Sequence, residues 1–250
     1  AIAGLWRRDY SSWIKPALPW SLVAVMVLGT GIIMGGFWAY ESLSFGGYWA
    51  WDPVENASLI PWLILISAVH TMLIFKSTGN SLITTFLLTI SSFLLVLYAT
   101  FLTRSGILGD SSVHSFTDLG MSGQLVIFLM MFIVIAIILL ITRWKELPTS
   151  SKDDKVWTRE FWMFMGALVF VLSGFQVLIT TSIPVINALF GLNMAEPVDK
   201  ITYYNSFQLP FAIVIGILTA FSQFLKYRKN DPAKAWKPIF RTFIISVVLG

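Results

Sequence analysis

The chain has 250 residues, 56% of them hydrophobic and only 12% charged, against about 25% charged residues in soluble domains, which excludes an ordinary water-soluble fold and marks an integral membrane protein. Its net charge of +4 comes from basic residues gathered beside apolar runs, the pattern of topology signals, so no nucleic-acid partner is expected. The absence of cysteine removes disulfides, thiolate metal sites and thiol nucleophiles, and leaves metal chemistry to His, carboxylate or Met.

Residues 1–17 end one element and form a basic link with Arg7, Arg8 and Lys15, after which Pro16 and Pro19 open the next segment, where proline is tolerated. A first span is predicted over residues 18–40, long enough to cross a bilayer. Gly29, Gly31, Gly35 and Gly36 lie along its second half, a pattern read as close helix packing in preference to ligand binding. Residues 41–58 form a loop that turns helical from Pro53, with Asp52 as its cap. A second span follows over 59–75 and carries His70; a tight basic turn at 76–80 leads to a third over 81–102. After Arg104 comes a polar connection with Asp110, His114 and Asp118. The fourth span covers 123–141, and residues 143–159 read as a solvated linker without chemistry. Fifth and sixth spans are expected over 160–183 and 208–225, separated by residues 184–207, whose 192–202 stretch reads as a surface loop. A basic run at 226–241 precedes the start of a seventh span.

The expected fold is therefore an all-α polytopic transmembrane bundle of about six complete spans. The chain starts at Ala1 without Met, shows no signal-peptide pattern, and stops at Gly250 inside an apolar run, so an internal portion of a longer protein is expected. All but two of the 17 Lys and Arg residues fall on one set of alternate connections, the exceptions being Arg104 and Lys200. The positive-inside rule puts the larger group in the cytoplasm, and the 41–58 loop and His114 on the outer face, the periplasm of a Gram-negative cell.

That loop, Gly46-Gly47-Tyr48-Trp49-Ala50-Trp51-Asp52-Pro53-Val54-Glu55-Asn56-Ala57-Ser58, is the most informative stretch. Glycines permit close backbone approach, and three aromatics beside two carboxylates suit a flat, amphipathic guest. A membrane-interface aromatic belt accounts equally well for the Trp residues alone, but not for the Gly-Gly pair or the acidic run. His70 sits inside the second span, where an ionisable residue is a functional-site hypothesis by default. It is either a neutral hydrogen-bonded core residue or an axial haem ligand whose partner His lies elsewhere. His114, on the outer connection, is either plainly exposed or an iron ligand beside the aromatic loop. Arg104 is a fork for Asp52, Glu55 or a haem propionate. No hydrolytic triad, phosphate-cradling loop or nucleotide fingerprint is present, and Gly106-Ile107-Leu108-Gly109 opens no strand-to-helix unit.

The loop resembles the tryptophan-rich "WWD" signature of haem-handling proteins of cytochrome c maturation, and its continuation through Pro61-Trp62-Leu63 is similar to the CcmF branch, the membrane subunit of the haem lyase. Thr103-Arg104-Ser105-Gly106-Ile107-Leu108 with Ser112-Val113-His114-Ser115-Phe116 is similar to that family's periplasmic-histidine segment, while Tyr48 and Ala50 stand where bulkier rings are common. The resemblance implies a haem-handling core at 1–142, a cytoplasmic linker at 143–159 and further membrane helices at 160–250. It implies that His114 is an outer axial ligand for haem arriving from a haem chaperone and His70 a ligand of a resident haem b. Gly47, Tyr48, Trp49, Trp51, Asp52 and Glu55, with Arg104, would contact or present the arriving haem. The implied activity is assistance in attaching haem to the CxxCH thiols of apocytochrome c at the bacterial inner membrane, together with thiol-handling subunits; whether that is enzymatic rests on the resemblance. The alternative is a haem transporter or export subunit that hands haem to the chaperone without ligating it.

Overall fold

A computed structural model describes residues 1–42, 47–109, 111–112, 120–148, 156–227 and 232–249, with the backbone alone at 232–235, 243, 247 and 249. All regular structure among them is helical: α1 (Ile2–Arg7), α2 (Ile14–Ser42), α3 (Pro53–Thr78), α4 (Leu82–Arg104), α5 (Ser122–Arg143) with a 3-10 turn at Trp144–Glu146, α6 (Arg159–Thr181), α7 (Ile183–Phe190), α8 (Lys200–Ser222) and α9 (Pro232–Leu249). Six of these, α2 to α6 and α8, are long and apolar enough to cross a membrane.

The most buried helix, α3, is the axis of the bundle, and α2, α4 and α6 pack directly on it; α5 lies on α4, and α8 on α6. Apolar residues alone do not drive such packing in lipid, where close approach and interhelical hydrogen bonds take over. Gly29 and Gly36, two helical turns apart, supply the close approach of α2 to α3 and to the loop before it. A Cβ at Gly29 would come within 2.9 Å of the Trp62 indole, and one at Gly36 within 2.9 Å of the Tyr48 ring. Trp62 Nε1 also donates to Val25 O at 2.9 Å. On the opposite side Ser67 Oγ donates to Ala167 O at 3.0 Å, tying α3 to α6, where Gly174 lets Ile64 close in. Gln208 joins α8 to α6, accepting from Ser173 Oγ at 2.6 Å and donating to Gln176 Oε1 at 2.7 Å.

Two expectations need correction. Residues 184–207 are not a single connection: α7 occupies their first part, and α8 starts at Lys200, eight residues before the predicted 208. The chain there carries helix signals that an apolar-run reading overlooks: Pro184 within the first turn of α7, Gly191 at φ 62° closing it, and Asp199 accepting from Thr202 N to cap α8. Likewise α9 begins at Pro232, inside the basic run and ahead of the apolar residues expected to start it.

Both ends of the bundle are tied by polar contacts. At one, Glu146 receives the Tyr10 hydroxyl and lies 3.9 Å from Arg8 and 3.3 Å from Arg143. At the other, the residues after α4 meet both the loop before α3 and the segment before α8. This second end holds the aromatic loop.

Candidate functional site

The loop takes its shape from the start of α3. Pro53 at the first helical position has no N–H to satisfy, and Asp52 caps the helix, accepting from Val54 N at 2.9 Å. Glu55 reaches back so that its Oε2 accepts from Asp52 N and Ala50 N, both at 3.1 Å, completing a capping box. Asn56 Nδ2 donates to Trp51 O at 3.1 Å. The polar groups of residues 50–56 thus point back into the helix start, and the rings of Tyr48, Trp49 and Trp51 are directed elsewhere.

Each ring has its own fixture. Tyr48 lies over Gly36 and donates its hydroxyl to Ile33 O, clamping the loop to α2. Trp51 stacks on Tyr204 of α8, centroids 5.0 Å apart and planes 14° apart, while its Nε1 donates to Asn205 Oδ1 at 2.9 Å. Trp49 meets Trp51 edge-on, at 5.9 Å and 89°. The indole nitrogen of Trp49 is buried without a hydrogen-bond partner among the described residues. The tight backbone position is Trp51 itself, at φ 55°; Gly47 has an ordinary φ and, were it to carry a Cβ, would meet only Trp49 O at 3.9 Å.

Trp49 borders a groove of about 270 Å³ between α2 and α3, where Gly31, Gly35, Trp38, Glu55 and Ser58 also line the walls. A Cβ at Gly31 or Gly35 would touch nothing within 4 Å. Of the four glycines of α2, Gly29 serves helix packing and Gly36 seats the Tyr48 ring at the edge of the groove, whereas Gly31 and Gly35 leave a flat floor in it.

The connection after α4 joins the same end. Ser112 Oγ donates to Asp52 Oδ2 at 2.6 Å, and Ser111 donates its hydroxyl to Glu196 while its carbonyl accepts from Lys200 Nζ at 2.8 Å. Lys200 and Glu196 also lie 3.7 Å apart. Arg104, the exposed last residue of α4, stands on this side as well. His114, with Asp110 and Asp118, lies outside the described residues.

His70 is remote from this end. It lies 17 residues beyond Pro53 along α3, about 25 Å at 1.5 Å per residue. Its Nδ1 is 2.8 Å from Ile66 O, a carbonyl one turn back on its own helix, and its ring is 6.0 Å from that of Phe170 on α6. A carbonyl only accepts, so Nδ1 carries a proton, and in the neutral imidazole Nε2 then keeps its lone pair. That is the tautomer of a haem-ligating histidine with its other nitrogen oriented by a backbone carbonyl.

The sequence-predicted residues thus fall into three groups. Asp52, Glu55 and Trp51 are occupied in building the loop, Gly47, Tyr48 and Trp49 belong to its α2-facing part, and His70 stands apart. Tyr204, Asn205 and Ser112 were not anticipated; the first two lie in residues read as a connection, and the Asp199–Thr202 cap is the signal that would have placed them on a helix.

Residues 8–108 match the family model described as Cytochrome C assembly protein. The chain is 31% identical over its whole length to the cytochrome c-type biogenesis protein CcmF of Escherichia coli (strain K12), of which it covers 38%. It is 35% identical, over 93% of its length, to the cytochrome c-type biogenesis protein CycK of Rhizobium meliloti (strain 1021), covering 34% of that protein. A solved structure titled Cytochrome c Heme Lyase CcmF superposes with a TM-score of 0.68 at 27% identity, over 92% of this chain and 33% of that one. The chain thus spans a little over a third of the length of these curated relatives.

Proposed function

The chain belongs to the CcmF-type cytochrome c biogenesis proteins, multi-pass membrane proteins, and on that premise we propose that it is the haem-handling part of a cytochrome c haem lyase. In this reading its outer face receives haem from a haem chaperone and helps to attach it to the CxxCH thiols of apocytochrome c. The observation that carries the reading is the aromatic loop. It is fixed from three sides, and Trp49 Nε1, a buried side-chain donor unpaired among the described residues, borders a groove floored by Gly31 and Gly35. A flat floor, aromatic walls and a spare N–H suit the edge of a planar ligand with polar substituents.

The chemistry asks for placement. Each thioether forms when a thiol S–H adds across a vinyl double bond, creating one S–C and one C–H bond with no net redox change. Holding haem and thiols in one geometry is then the main contribution open to the protein. His114 is proposed as an outer iron ligand of the substrate haem. The tethering of Ser112 to Asp52, two residues before it, supports that reading. Asp52 and Glu55 act on the loop backbone, so their proposed role is to hold the presenting rings in place; Arg104 is proposed to meet a propionate.

His70 is proposed as an axial ligand of a resident haem b, and its tautomer fits that role. Such a haem supplies one-electron transfer, which would keep the arriving iron reduced. The presence of a half-buried imidazole within a membrane-crossing helix, its Nδ1 held by a carbonyl of that helix, favours the lyase reading over haem export. The concentration of Lys and Arg at the opposite end supports placement in the bacterial inner membrane with the loop facing the periplasm.

The test is cytochrome c assembly in cells whose full-length protein carries Trp49→Ala with Trp51→Ala. Assembly should fall at least about tenfold, the scale of losing a positioned contact. Assembly at the wild-type rate would contradict the reading.

A further inference from the structure

Trp51 holds a positive φ of 55°, a backbone conformation that non-glycine residues seldom adopt, so something outside the loop must secure it. The securing groups lie on α8, some 150 residues later in the chain. Tyr204 covers one face of the Trp51 ring, and Asn205 accepts its indole N–H.

Neither is free to follow a shifting loop. Tyr204 is 3% exposed and packs with Ile60 of α3 and Val177 of α6, and its hydroxyl lies 3.2 Å from Thr181 Oγ1. The start of α8 is fixed by the Asp199 cap and by Lys200 on Ser111 O. Its register along α6 is set one turn further in by the Ser173–Gln208–Gln176 hydrogen bonds. A helix that presents most of its surface away from the bundle is thus held to its neighbours by Lys200, Tyr204 and Gln208, one turn apart, with Tyr204 under Trp51.

We infer that Tyr204 and Asn205 are positioning residues that hold Trp51, and through it the edge-on Trp49, in the arrangement in which the loop meets its ligand. They act through Trp51 and do not touch the groove beside Trp49. The inference rests on the proposed role of the loop for its functional consequence, but the positioning itself can be measured without haem.

Because the chain contains no cysteine, Ala50→Cys in the full-length protein with any other cysteines removed places one thiol in the loop, and a membrane-impermeant maleimide applied to the outer face reads its accessibility. Tyr204→Leu and Asn205→Ala, each in that background, should label roughly 3- to 10-fold faster, the scale of losing an aromatic stack or a buried hydrogen bond. Tyr204→Phe keeps the ring and should label at the parental rate. Unchanged labelling in both Tyr204→Leu and Asn205→Ala overturns the inference, as does Tyr204→Phe labelling as fast as Tyr204→Leu. If Tyr204→Leu does not accumulate, the milder Asn205→Ala decides alone. Cytochrome c assembly in the same variants without the reporter separates the two claims. Faster labelling with normal assembly upholds the positioning and removes the haem-presenting role, whereas unchanged labelling with failed assembly removes the positioning.

Discussion

The Ser112 hydroxyl donates to the Asp52 carboxylate at 2.6 Å, across 60 residues of chain, and both side chains are buried. One carboxylate therefore caps α3 and anchors the connection that leads from α4. Asp52→Ala should remove both at once, costing about 1 kcal/mol for the cap and more for the stranded Ser112. Asp52→Asn, another good cap, should cost less. Hydrogen exchange at Val54 N reports the cap, and Ser112→Ala should leave that amide protected.

Gly36 and Gly35 are neighbours with opposite expectations. A methyl group at Gly36 collides with the Tyr48 ring, whereas one at Gly35 meets nothing within 4 Å. Gly36→Ala should release Tyr48 from Ile33 O and lower thermal stability by about 1–3 kcal/mol, the usual cost of overpacking. Gly35→Ala should leave stability within about 0.5 kcal/mol and weaken haem uptake at the outer face by raising the groove floor. Thermal unfolding and haem titration of the two variants make the comparison.

Trp49→Phe removes a buried N–H that has no partner among the described residues. Losing an unpaired donor should not destabilise the fold. If that N–H serves a polar substituent of the ligand, haem affinity at the outer face should drop several-fold, about the value of one hydrogen bond. Unfolding and haem titration of the same preparation separate the two effects.

Asp199 gives the second helix cap at this end a pH dependence. Its side-chain and backbone hydrogen bonds with Thr202 hold the carboxyl below its ordinary value of 3.8. A carboxylate whose folded-state value is depressed contributes stability above the unfolded value and loses it as pH falls through the folded one. The α8 start should therefore stay protected from neutral pH down to about the ordinary carboxylate range and open only below it. Hydrogen exchange at Thr202 N measures this, and Asp199→Ala should abolish the dependence.

The six spans were legible because twenty or so apolar residues can do little else in a bilayer. The Asp52-Pro53 start of α3 was legible because cap and first-turn proline carry their geometry with them. What escaped the sequence was long-range or polar. Tyr203, Tyr204 and Asn205 lower the apolar density of the start of α8, so an apolar run begins eight residues after the helix does and leaves out the partner of Trp51. The division of the α2 glycines was also hidden, since spacing alone does not tell Gly29 and Gly36, which meet Trp62 and Tyr48, from Gly31 and Gly35, at which a Cβ meets open space. His70 was readable as unusual, but its tautomer needed the Ile66 carbonyl in place.

The most direct test of haem handling is the visible absorption spectrum of the purified full-length protein beside its His70→Ala and His114→Ala variants. Because the hydrogen bond of His70 is to its own helix, His70→Ala should leave the bundle intact and abolish the spectrum of the proposed resident haem, while His114→Ala should leave that spectrum and lose haem captured at the proposed outer site. A bound-haem spectrum unaltered by either substitution would contradict the account.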